Sequence, residues 1–331
     1  MKTQAKTPFQ RFVMIAAGAL VSLANLASVN PSLAQEKSSV MRGLNFIGLI
    51  PNNTLVRFGS NSRFSKSIQV KGIDGNLQGI DFRPANGLLY GVTDTDNVYI
   101  INPDNGEAKL ASKLSSSFDG GFQSGFDFNP VPDRLRIVGS NDQNLRANVD
   151  NGAVNVDKAL SYGSSDPNSG KDPNITAIAY TNSRAGATST QLFGIDYDLD
   201  VLVLQDPPND GNLKTIGSLG VNFSPIGGFD IVTDASGNNT AFAVSSNTLY
   251  IIDLSTGAAK QVGRLPASSF IGFTIMPTMN GRVKPLESQP NTNSSDMMPA
   301  QEPIDTKETP DTPDMMEAPQ QPTEQQTQPT N

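Results

Sequence analysis

The tetrapeptide Gly-Ile-Asp-Phe at 79–82 returns as Gly-Phe-Asp-Phe at 125–128 and as Gly-Phe-Asp-Ile at 228–231. A repeat of this kind constrains the fold more than any other property of the chain, because a small unit that cannot bury its own faces must stack against copies of itself. In the copy at 79–114, Ile80 and Phe82 alternate with polar or small neighbours, 88–92 and 98–101 are apolar, and 108–114 alternates again. That pattern predicts a meander of four strands. Between the strands, Arg83-Pro84-Ala85-Asn86-Gly87 and Asn102-Pro103-Asp104-Asn105-Gly106 carry the residues that tight turns need.

The second copy predicts strands at 134–139, 144–149 and 153–160 after its opening motif, and residues 161–176 read as a long polar loop projecting from one face. The third is the most divergent: strands at 177–180, 192–197, 201–205 and 213–219, with a polar insertion at 183–190. The fourth continues at 240–244, 248–252 and 259–265. Three strands precede the first copy, at 45–50, 54–58 and 67–71, and one follows the last, at 271–276. Together they supply one further unit. The unit starts at Gly79, Gly125, Ala177, Gly228 and Gly272 are 46, 52, 51 and 44 residues apart, a spacing suited to four-stranded blades. The expected fold is therefore all-β, a five-bladed β-propeller of four-stranded antiparallel blades, closed by three N-terminal strands and one C-terminal strand. Closure removes the free edges of an open β array.

The ends differ from the repeats. Lys2, Lys6 and Arg11, an apolar run at 12–26, and small residues before Gln35 predict a secretory signal peptide over 1–34. The apolar run is shorter than the ~20 residues of a spanning helix, so no membrane span is expected once the signal is removed. Residues 35–43 read as a linker, 44–281 as the propeller, and 282–331 as a disordered acidic tail rich in Pro and Gln. The tail holds nine acidic and three basic residues, with Asp-Met-Met at 296–298 echoed at 314–316. An exported protein, periplasmic or extracellular, follows as the expectation. Loss of the signal takes away three basic residues and no acidic one, moving the net charge from −8 to −11, so nucleic acid is not an expected partner.

The chain has no Cys, no His and no Trp. Thiol nucleophiles, disulfides, histidine bases and Cys/His metal sites are thereby excluded. Carboxylates, Lys, Tyr and hydroxyls remain. Asp81, Asp127 and Asp230 occupy one position in the first strand of three units, where the third unit has Ala179. If the side chains enter the propeller channel, they form a partial carboxylate ring suited to calcium, or to acid/base work on a carbohydrate or lactone by a hydrolase or lyase. The alternative is that each receives hydrogen bonds and fixes its blade. Arg83, Arg134, Arg136 and Arg146 are candidates to face these aspartates or an anionic ligand, or to make inter-blade salt bridges; Arg134 and Arg136 share a strand face and could grip an anion together. Asp94, Asp96 and Asn97, and Asp196, Asp198 and Asp200, form Asp-rich turns that lack the Gly and closing Glu of an EF-hand loop.

GIDFRPANGLLYGV, GFDFNPVPDRLRIV followed by Asp142-Gln143-Asn144-Leu145-Arg146, and QDPPNDGNLKTIGSLGV are long ordered motifs. Through them the run from about 44 to 276 resembles a bacterial family of exported proteins, domain of unknown function 4394. The resemblance implies a secreted or periplasmic propeller-like domain and carries no reaction or catalytic residue. No strong catalytic motif is present, so the expected function is a non-catalytic binding module. Its partner would be a small molecule, a glycan or an envelope protein. The carboxylate hydrolase or lyase is the alternative.

Overall fold

A computed structural model of the chain describes residues 43–60, 64–265, 267 and 269–277. The signal, nearly all of the linker, residues 278–281 and the acidic tail expected from the sequence lie outside these residues. Among the described residues no helix is long and apolar enough to cross a membrane.

Five sheets, antiparallel but for one added edge strand in blade three, surround one axis. Blade one comprises Leu77–Phe82, Leu89–Thr93, Asn97–Ile101 and Ala108–Lys113; blade two, Ser124–Asn129, Arg134–Gly139, Asn144–Ala147 and Val154–Val156. Blade three comprises Ile175–Tyr180, Leu192–Asp196, Val201–Gln205 and Asn212–Ser218; blade four, Gly227–Thr233, Asn239–Ser245, Thr248–Ile252 and Ala259–Arg264. In the closing blade, Gly272–Ile275 pairs antiparallel with Asn45–Ile50, followed outward by Thr54–Gly59 and Phe64–Gln69. The two ends of the propeller are thus joined within one sheet, as the stray strands predicted.

Each of the five apolar cores lies between two neighbouring blades. Phe46, Phe58 and Phe273 of the closing blade meet Phe242 and Val244 of blade four, for example, and Tyr90 and Val92 of blade one meet Phe126 and Phe128 of blade two. Both faces of a blade are consequently covered, which is why Leu89–Thr93 is buried at every position instead of at alternate ones.

The glycine of the repeated motif belongs to this packing. A Cβ on Gly79 would overlap the ring of Phe126, one on Gly125 would meet the main chain and side chain of Ile178, and one on Gly228 would strike Phe273. Phe126, Ile178 and Phe273 therefore each lie against the glycine of the preceding blade.

One expectation is corrected. The closing strand of blade two is only Val154–Val156, and the predicted loop at 161–176 begins with a strand, Ser161–Tyr162, which adds to blade three parallel to Asn212–Ser218. Burial explains the change. Leu160 and Tyr162 are apolar enough to enter the core between blades two and three, and the Tyr162 hydroxyl donates to Asp196 at 2.6 Å.

Candidate functional site

The five innermost strands run side by side around the axis, and their equivalent positions carry Asp81, Asp127, Ala179, Asp230 and Thr274. All five are buried. Asp81 Oδ2 accepts from the main-chain N–H of Phe128 at 2.8 Å, Asp127 Oδ1 from that of Tyr180 at 3.2 Å, and Asp230 Oδ2 from that of Ile275 at 2.7 Å. In each case the donor lies one residue beyond the equivalent position of the next blade. The aspartates are inter-blade clasps. Ala179 cannot serve the next N–H, that of Ile231, and Asp230 Oδ1 accepts it instead at 2.6 Å.

Thr274 joins two of these carboxyls. Its hydroxyl stands 2.9 Å from Asp81 Oδ1 and 3.0 Å from Asp230 Oδ2. A hydroxyl carries one hydrogen, so both contacts are hydrogen bonds only when one of the two carboxyls is protonated and donates in return. The electrostatics agree with this count. Burial, and then the charge of Asp230, hold Asp81 well above the ordinary carboxyl range; burial, and then the charges of Asp81 and Asp230, do the same for Asp127; burial lifts Asp230 to about 6.

One oxygen from each of Asp81, Asp127 and Asp230 lies within 4.8 Å of the others. Oxygen ligands around calcium fall within such a span, so these three residues are the set that could hold a hard cation. A cation there would compete with Thr274 and the main-chain donors for the same oxygens.

The axis is closed at one end and open at the other. At the closed end only about 10 Å³ remains among Gly79, Gly125, Ala177, Gly228 and Gly272 and their neighbours, and the Gln123 amide donates to the Ile271 carbonyl at 3.0 Å, tying blade two to the closing strand. At the open end, Asp81, Asp230 and Thr274 contribute to a cavity of about 450 Å³. Its walls include Ile231, Val232 and Met276, and its rim holds Arg83, Asn86 and, from the insertion in blade three, Arg184.

The four arginines singled out from the sequence do not contact the axial aspartates. Arg83 reaches into blade two, pairing with Asp150 at 2.6 Å and donating through Nε to Asp133 at 2.9 Å. Arg136 stands opposite Asp127 in the sheet register, but its guanidinium goes to Asp157, Asn144 and Asn209 at 2.6, 2.6 and 2.7 Å. Arg146 shares Asp157 at 2.6 Å. Arg134 donates to the carbonyls of Pro132 and Asp133. The expectation that Arg134 and Arg136 grip an anion together is thus corrected, because Arg136 is buried in its own polar network. The Asp-rich turns organise main chain: Asp96 accepts the Phe118 N–H, Asp200 that of Phe223, and Asp196 those of Asp198 and Leu199.

Thr274, Arg184 and Gln123 were not among the residues drawn from the sequence. Thr274 was legible, since Gly-Phe-Thr-Ile at 272–275 aligns with Gly-Phe-Asp-Ile at 228–231. Arg184 carried no signal, because its insertion occurs in one blade alone.

Five inter-blade cores, strand closure by the two ends and a clasped axis place the molecule among closed five-bladed β-propellers. Residues 54–274 match the family described as Domain of unknown function (DUF4394), and the chain belongs to that family. It is similar to a structural genomics protein of unknown function from Bacteroides thetaiotaomicron, at 19% identity and a TM-score of 0.42, covering 67% of this chain and 58% of that one. A protein of unknown function from Bacteroides caccae is similar at 8% identity and a TM-score of 0.38, over 66% of this chain and 73% of that one. No curated protein matches the chain.

Proposed function

We propose that the protein is an exported, non-catalytic propeller that holds a small organic molecule in the open end of its axis. The reading is carried by one observation. All four carboxyl oxygens of Asp81 and Asp230 are already engaged in hydrogen bonds, with Thr274, Phe128, Ile231 and Ile275, while the cavity above them is open. A nucleophile or general base needs an oxygen within reach of substrate and free to bind a proton. Carboxyls committed to two neighbouring strands and to the main chain after Asp230 are poorly placed for a hydrolase or lyase and well placed to make a rigid floor.

The cavity has the size of a ligand site, about 300–1,000 Å³ in known proteins. Apolar walls and a rim with the exposed Arg184, which has no ion pair among the described residues, suit a molecule with an apolar body and a hydrogen-bond-accepting head. With a signal expected at 1–34, that molecule would be met outside the cytoplasm.

Native mass spectrometry of the protein from its source cell tests this reading. The expected result is a non-covalent small-molecule adduct that Val232→Phe, which fills the cavity, removes. Robust hydrolysis or elimination in a turnover screen, abolished by Asp230→Asn, would overturn it.

A further inference from the structure

A second cleft lies at the other end of the strands. Residues 115–123 lead into the innermost strand of blade two and carry Phe122, which is 54% exposed. The segment is nevertheless tied down. Asp119 and Gly120 N–H both donate to Gln143 Oε1 at 2.9 Å, the Phe122 N–H donates to Ser140 Oγ at 3.1 Å, and the Ser140 N–H donates to the Gly120 carbonyl at 3.0 Å. Gly120 and Gly121 adopt φ of +72° and +69°, which other residues rarely reach, so the chain can double back through this bend. The outcome is a phenyl ring held in water by a rigid loop.

That ring meets Tyr197 of the neighbouring blade edge to face, with centroids 5.4 Å apart and planes at 86°. Tyr197 in turn forms a wall of a cleft of about 300 Å³, together with Asp198, Asn222, Pro225 and Ser246. Among the described residues, the side chains of Asp198, Asn222 and Ser246 make no hydrogen bond or ion pair. The cleft therefore presents an aromatic wall beside an uncommitted carboxylate, amide and hydroxyl, and beside the Ser224 hydroxyl, which accepts the Ile226 N–H at 3.4 Å. No Lys or Arg lines it, which disfavours phosphates and acidic sugars, and its mostly polar walls offer little for an apolar peptide to bury.

We infer that this cleft binds a neutral saccharide, with Tyr197, braced edge to face by Phe122, as the stacking surface and Asp198, Asn222 and Ser246 as partners of the sugar hydroxyls. A pyranose ring matches such a site in both respects. Its C–H face covers an aromatic ring, and its hydroxyl rim both donates and accepts. Holding the aromatic pair in place beforehand avoids an ordering cost on binding. This site is separate from the axial cavity, so either assignment can fail without the other.

The test is a glycan array probed with the full chain, followed by calorimetric titration of the best-retained soluble neutral oligosaccharide. Phe122→Ala and Asp198→Ala should each weaken binding about tenfold. Asp198→Ala should leave the melting temperature unchanged, since its side chain is exposed; Phe122→Ala should lower it only slightly, through the lost contact with Tyr197; and Val232→Phe in the axial cavity should leave binding unchanged. Retention of no neutral glycan, preference for acidic glycans, or titrations indifferent to Phe122→Ala and Asp198→Ala would each overturn the assignment. So would loss of a protein partner on Phe122→Ala with no glycan retained, which would reassign this face.

Discussion

Asp81 accepts a hydrogen bond at 2.8 Å from the main-chain N–H of Phe128, the residue immediately after the equivalent aspartate of the next blade. The same step recurs from Asp127 to Tyr180 and from Asp230 to Ile275. A residue repeated for this reason sits on the axis because the blades must be joined there. The carboxyl cluster is a consequence of three such joints meeting, and its electrostatics set how stability depends on pH.

Folding raises the pKa of Asp81, Asp127 and Asp230 above the unfolded value, chiefly through burial. The native state then binds more protons than the unfolded state between about pH 4 and the raised values, so stability falls as pH rises through that window and levels off above it. Calorimetry should show the melting temperature increasing as pH is lowered from about 8 to about 5. The carboxyls whose pKa is lowered, such as Asp150 beside Arg83, keep their contribution over that range and lose it only under stronger acid. In Asp127→Asn the slope should be shallower. A flat profile in the native protein would contradict the burial of the cluster.

Thr274→Val removes the bridging hydroxyl and keeps the shape. Asp81 Oδ1 would lose a buried donor and Asp230 one of its two partners on Oδ2, a change expected to cost about 1–3 kcal/mol. Denaturant titration measures it, and Thr274→Ser should recover much of the difference.

Gly125→Ala tests the packing half of the motif. Its Cβ would stand 2.8 Å from the Ile178 nitrogen and 3.1 Å from the Ala177 carbonyl carbon, main-chain atoms that cannot rotate away. Overpacking of this kind costs about 1–3 kcal/mol. Gly237→Ala is a contrast: nothing lies within 4 Å of its added Cβ, although φ of +88° strains it, so any loss there comes from the backbone alone and not from packing between blades.

Most of this fold was legible in the sequence, because its governing interactions recur. The five blades followed from the spacing of Gly-Φ-Asp-Φ motifs and from counting stray strands at the two ends. The strand Ser161–Tyr162 was hidden, since it occurs once and is recruited by two buried side chains, Leu160 and Tyr162, within a polar stretch. For the site, the sequence placed Asp81, Asp127 and Asp230 together. It could not say whether their oxygens were free, because all but one of the partners, the Thr274 hydroxyl, are main-chain N–H groups, which every sequence possesses. Arginine partners were likewise invisible: Arg83 reaches Asp150, 67 residues away in the chain.

Calcium discriminates between two ways of relieving the like charges on the axis. The hydrogen bonds favour a shared proton between Asp81 and Asp230, so the melting temperature at neutral pH should be the same in calcium at ~1 mM, the upper range of extracellular site affinities, as in chelator. A rise with calcium that Asp127→Asn abolishes would show that a cation occupies the cluster.

The most direct test is a carbon-13 NMR titration of the aspartate side-chain carboxyls in the folded protein. Carboxyl resonances removed by Asp81→Asn and Asp230→Asn should remain in the protonated range near pH 5, where exposed aspartates have already ionised, and at least one proton should persist on the pair to neutral pH. Ionisation of all the axial aspartates together with the exposed ones, at ordinary carboxyl pKa values, would contradict this.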